Sequence, residues 1–148
     1  MSIRLTLTIK RLPDVELIDH GFWLRRLLCD VRFPSANGLS DPYPAIIDTG
    51  APASIIPYTV WSKTPVRRLK TFPLRGLVVR KECAIEVTAG ILTAVLQDQA
   101  GRQVKRSFRA YLAETDEVPL ILGMQDMLEV AKLHVDLKAD AAWLEFGN

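Results

Sequence analysis

Asp48 is the residue of this chain best placed for acid–base chemistry. It sits in Ala45-Ile46-Ile47-Asp48-Thr49-Gly50-Ala51, followed by Pro52-Ala53-Ser54-Ile55-Ile56-Pro57, so a carboxylate, a hydroxyl and a glycine separate two short apolar runs. Apolar runs of this length around turn residues read as strand, tight polar turn, strand at the rim of a β core. A carboxyl group held there is ionisable yet half buried. Taken alone, Asp48-Thr49-Gly50 also fits an ordinary β turn, in which Asp caps a backbone amide and Gly takes a positive φ.

A second stretch, Val118-Pro119-Leu120-Ile121-Leu122-Gly123-Met124-Gln125-Asp126-Met127-Leu128, changes that balance. An apolar pair, Asp-Thr-Gly-Ala and another apolar pair, followed far downstream by an apolar run ending in Gly, resembles the signature of the retropepsins, the retroviral-type aspartic proteases. In that family the second run passes behind the active-site loop and leads into a short helix, here expected over Gln125 to Lys132. Two positions depart from the viral pattern. Met124 stands where the viral enzymes commonly carry Arg, and Pro52 stands where they carry the Asp that pairs with it.

The resemblance implies an all-β, closed, single-domain fold over residues 1–148, with residues 1–20 as an N-terminal strand extension and one short C-terminal helix. It implies a two-fold symmetric homodimer acting on a peptide or protein substrate, with Asp48 as the catalytic residue. Thr49, Gly50 and Ala51 would support the loop: the Thr49 hydroxyl bonding across to the partner's loop, Gly50 letting the loops approach and its amide bonding the carboxylate. Leu122 and Gly123 would support it from behind. A flap closing over substrate would fall near Leu74, Arg75 and Gly76, with Gly76 at the tip because hairpin turns favour glycine. The alternative is a catalytically idle retropepsin-fold module that binds partners or dimerises, since a fold does not by itself carry an activity.

The chemistry explains why two chains are needed. Splitting a peptide bond without a metal or a covalent intermediate requires water to lose a proton while the amide nitrogen gains one. A carboxylate beside a carboxylic acid does both. Like charges that close together resist joint ionisation, so the pair shares a proton, as is familiar from aspartic protease dyads. With one Asp loop in the chain, a two-fold axis would have to supply the second carboxyl group.

Composition is consistent with this reading and excludes several others. The chain of 148 residues is 49% hydrophobic and 24% charged, enough for one domain with a real core and without an apolar run long enough to span a bilayer. No membrane is expected. The N-terminal segment alternates apolar and polar residues and reads as a strand rather than a signal peptide. A net charge of +2 is too mild to imply nucleic acid. The basic run Arg67, Arg68, Lys70, Arg75, Arg80 and Lys81 is read as a solvated face, so nucleic acid is not expected as a partner. Cys29 and Cys83 are isolated, pointing to reduced, buried thiols in a cytoplasmic protein. His20 and His134 lie far apart with no cysteine pair nearby, so neither a metal nor a cofactor is expected. Ser54 and Ser62 lack a serine-hydrolase elbow.

The remaining elements follow from periodicity and turn chemistry. Strands are expected over Ile3 to Ile9, Phe22 to Phe33, Cys83 to Gln97 with a bulge or bend at Ala89-Gly90, and Val104 to Leu112. Asp98-Gln99-Ala100-Gly101 is the hairpin turn between the last two. A helical turn is expected around Trp61, and two short strands around Lys138-Ala139-Asp140. The terminal strands are candidates for dimer contacts, as chain termini pair between protomers in the resembled family.

Overall fold

The computed structural model describes residues 1–74 and 85–147. Its strands, in chain order, are β1 (Ile3–Thr6), β2 (Thr8–Pro13), β3 (Trp23–Arg32), β4 (Pro34–Ser35), β5 (Gly38–Leu39), β6 (Tyr43–Ile47), β7 (Ser54–Ile56), β8 (Arg67–Leu74), β9 (Ile85–Gln97), β10 (Gln103–Ala113), β11 (Ile121–Leu122), β12 (Ala131–Asp136) and β13 (Ala141–Phe146). One four-residue helix, α1 (Tyr58–Trp61), follows β7. The fold is all-β among the described residues.

Eight strands form one sheet in the order β2-β3-β6-β11-β7-β10-β9-β8, and β3 pairs additionally with β9. That extra pairing closes the sheet. The ring runs β3-β6-β11-β7-β10-β9 and back to β3, leaving β2 and β8 as flanking strands. Closure removes most free edges and creates an interior that alternate residues of each strand can fill. Val31, Phe33, Ile56, Leu96, Phe108, Leu112 and Leu122 are all at most 1% exposed there. β4 and β5 form a small hairpin of their own.

β1, β13 and β12 make a second, three-stranded sheet, with Ile3 opposite Phe146 and Leu5 opposite Leu144. The expected single strand over Ile3 to Ile9 therefore divides. Its first part pairs with β13 of the same chain and its second part, β2, pairs with β3. Leu5 and Leu7, both buried, face inward through this change of sheet. Terminal strands expected to pair between protomers thus find partners within one chain.

Three further expectations change in detail. The helix expected over Gln125 to Lys132 is a single 3-10 turn, Leu128–Val130, because β12 begins at Ala131 and pairs with β13 from its first residue. β9 runs unbroken through Ala89-Gly90, and the irregularity lies opposite, on β8 between Arg68 and Lys70. Gly90 serves close packing instead: a Cβ there would lie 2.7 Å from a Leu112 methyl and 3.2 Å from the Arg67 carbonyl. Of the flap candidates, Leu74 ends β8, whereas Arg75 and Gly76 lie outside the described residues, as does Cys83.

Other local readings hold. α1 carries Trp61, which is 3% exposed and donates its indole N–H to the Ala113 carbonyl at 2.7 Å. At the β9–β10 turn, Gly101 has φ of 85° and the Asp98 carboxylate accepts the amides of Ala100 and Arg102, each at 3.0 Å. Asparagine and aspartate favour such turns because their short side chains bond to backbone two residues on.

Candidate active site

β6 delivers the chain to Asp48 and β7 carries it away, but these two strands are not neighbours. β11 lies between them, parallel to β6 (Ile121 opposite Ile46, Leu122 opposite Ile47) and antiparallel to β7 (Ile121 opposite Ile55). The Asp48 loop must therefore arch over the end of β11. Backbone bonds extend this ladder through the catalytic candidate, with Ile46 donating to the Leu120 carbonyl at 2.9 Å and Asp48 to the Leu122 carbonyl at 3.0 Å. Asp48 is positioned by the second motif as much as by its own strand.

Within the loop, the Asp48 Oδ1 accepts the Gly50 amide at 2.9 Å, and the Asp48 carbonyl accepts the Ala51 amide at 3.2 Å. The Asx-type cap of an ordinary turn is thus present. The expected positive φ is absent: Gly50 is not among the glycines with positive φ, and its lack of a side chain instead leaves room for the Asp48 carboxylate, which a Cβ there would crowd at 3.2 Å. Asp48 is half-buried, while Thr49 and Gly50 are exposed. Thr49 has no hydrogen-bonding partner for its hydroxyl among the described residues.

The far limb of the loop is buried and clamped. Ala51 and Ala53 are 8% and 6% exposed, and their carbonyl groups press on Gly123 so closely that a Cβ on Gly123 would lie 2.5 Å from Ala53 and 2.8 Å from the Ala51 oxygen. Only glycine fits beneath this loop. Ala51 accepts the Met124 amide at 2.9 Å and Pro52 accepts the Gln125 amide at 3.0 Å. Main-chain bonds thus tie the Ala51-Pro52 segment to the Met124-Gln125 segment.

Two residues with a part in this arrangement were not singled out for it from sequence. Ser54, 0% exposed, accepts the Gly123 amide on its Oγ at 3.0 Å. Arg109, on the outward face of β10, grips Asp126 through Nε at 2.7 Å and Nη2 at 2.9 Å. These bonds hold the Asp126 carboxyl well below the usual carboxylate range. Asp126 has φ of 58°, a left-handed conformation that Asp tolerates better than most residues. The signal for this pair was faint: an arginine on the polar side of an alternating strand, with a partner 17 residues away.

The sequence-nominated residues therefore divide cleanly. Asp48, Thr49, Gly50, Ala51, Leu122 and Gly123 converge on one loop, and Leu74 ends a strand paired to β9. A cavity of about 470 Å³ bordered by Pro34, Arg67, Thr93 and Lys105 includes no residue of that loop. Compared with known proteins, the chain matches no protein-family model and no curated protein.

Proposed function

We propose that this chain is an aspartic endopeptidase of the retropepsin type, acting as a homodimer in which each protomer contributes Asp48. The observation that carries the reading is the insertion of β11 between the strands flanking the Asp48 loop, with Gly123 packed against the loop backbone. This arrangement holds the carboxylate half-buried and leaves the loop tip, Thr49 and Gly50, exposed where a symmetry-related loop would meet it. One Asp48 would draw a proton from water while the other, protonated, gives one to the amide nitrogen. An unpartnered Thr49 hydroxyl suits a hydrogen bond to the partner's loop. Substrate would lie extended across the two loops, held by main-chain hydrogen bonds like an added strand.

The second reading, an idle scaffold that dimerises or binds partners, draws its support from Pro52 and Met124, which remove the ion pair of the viral enzymes. One experiment separates the two. Wild type and Asp48→Asn, each verified as a dimer, are incubated with a diverse peptide library from mildly acidic to neutral pH, and products are read by mass spectrometry. Cleavage by wild type alone establishes the peptidase. Absence of cleavage by the wild-type dimer over the whole range transfers the assignment to the idle scaffold.

A further inference from the structure

The β2–β3 hairpin carries an arrangement of charge that strand pairing alone does not favour. Its register sets Lys10 opposite Arg26 and Arg11 opposite Arg25, two successive rungs of like charge. Directly opposed cations destabilise a strand pair. All four are exposed, and among the described residues none lies within ion-pair distance of a carboxylate. Arg11 rests on the Trp23 ring, 4.1 Å from its centroid, which leaves the Lys10 and Arg26 rung without a comparable contact.

That rung lies beside the catalytic candidate. β3 pairs with β6 through Leu28 opposite Ile46, and the pairing stops there although β3 continues back to Trp23. Counting on along both strands, Arg26 falls level with Asp48. Alternation places Lys10, Arg26 and Asp48 on the same side of the sheet, since paired residues share a face and successive residues alternate. Over Trp23 to Leu27 the edge of β3 facing the loop has no strand partner among the described residues. Cationic side chains thus flank the unpaired stretch of β3 on the loop side, and among the described residues no carboxylate, Asp48 included, pairs with them.

We infer that Lys10 and Arg26 form an anion-binding subsite beside Asp48, and that the substrate is a peptide bearing Asp or Glu side chains close to the scissile bond. This rests on reading Asp48 as the catalytic carboxylate. A carboxylate entering the subsite gains charge-assisted bonds from a guanidinium and an ammonium, and the fold already bears the repulsion between them. Arg26 and Lys10 are specificity-determining residues in this account and take no part in proton transfer.

The test uses full-length Asp48→Asn dimer, which holds peptides uncleaved, and two fluorescein-labelled extended octapeptides, one with three Glu residues and its isostere with Gln at the same positions. Binding is followed by fluorescence anisotropy at low and moderate salt. Preference for the Glu peptide by about tenfold at low salt is expected, falling with added salt and absent in the Lys10→Gln/Arg26→Gln variant. Equal binding of the two peptides overturns the inference. So does a preference that survives the double substitution, or tighter binding of a single-stranded oligonucleotide than of the Glu peptide. Both substituted side chains are exposed, and an unchanged melting temperature verifies the fold. Because this readout is binding, failure of the subsite and failure of catalysis are distinguishable. A wild-type enzyme that cleaves without acidic preference loses only the subsite, whereas salt-sensitive Glu-peptide binding without cleavage loses only the peptidase.

Discussion

Ser54 accepts the amide of Gly123 at 3.0 Å, and both residues are buried although 69 positions separate them in the chain. The bond ties the first residue of the strand leaving the Asp48 loop to the residue packed beneath that loop. Replacing Ser54 with Ala strands a buried N–H with no access to water. The expected loss is about 1–3 kcal/mol, which corresponds to a melting temperature lowered by roughly 2–4 °C per kcal/mol in a domain of this size. Ser54→Thr retains an acceptor and should recover part of it. A pair of thermal melts checks both.

Gly123→Ala should be worse for the loop than Ser54→Ala. The added methyl would sit 2.5 Å from the Ala53 backbone, and backbone cannot step aside as a side-chain terminus can. Overpacking of this kind costs roughly 1–3 kcal/mol or more. Because the displaced atoms belong to the Asp48 loop, the dimer-dependent activity proposed above should fall further than the folded fraction does. Specific activity per folded dimer, measured beside the melting curve, separates the two effects.

Asp98 makes stability depend on pH. Burial by itself would push its carboxyl up, but hydrogen bonds from the Thr6 amide and from Arg102, with the Arg102 charge, prevail and hold it below the usual carboxylate range. A carboxyl depressed in the folded state contributes stability that is present above the unfolded value, near 3.9, and is lost as pH falls through the lower folded value. Asp98→Asn should therefore melt well below wild type at neutral pH. The gap should narrow at pH 3 and below, as melts across an acid series would record. A gap constant with pH would locate the effect in the turn rather than in the charge.

Cys29 should be inert in the native protein. The residue is 3% exposed, and burial, reinforced by the neighbouring Asp30 charge, pushes its thiol up to about 12. At pH 8 it stays protonated and out of reach of electrophiles. The associated stability is complete below the unfolded thiol value of about 8.5 and is lost progressively as pH rises above it. Iodoacetamide labelling followed by mass spectrometry of the Cys29 peptide should give little adduct in buffer and complete adduct in guanidinium. Rapid labelling of native protein would contradict the burial.

Much of this protein was legible from local pattern. The alternation in Leu27, Cys29, Val31 and Phe33, the Asp98 to Gly101 turn and the strand-turn-strand around Asp48 all appear where short-range propensity and periodicity place them. Such features rest on backbone preferences and on which face of a strand is apolar, both written within a few consecutive residues. The nomination of Gly123 came from the resemblance of its apolar run to the second retropepsin motif. Its reason, the Ala51 and Ala53 carbonyl groups above it, came only with the fold.

What the tertiary structure decided concerns partners far apart in sequence. Periodicity cannot say that Ile3–Thr6 joins β13 while Thr8–Pro13 joins β3, because both segments alternate alike and the choice is made by which sheet buries Leu5 and Leu7. Nor can it seat Arg109 on Asp126 or set Lys10 opposite Arg26, two residues along β3 from the Leu28 and Ile46 pair. A strand shows in its own residues which face is apolar, but not which edge will meet it. Register and neighbour are settled only when several strands compete to bury the same core.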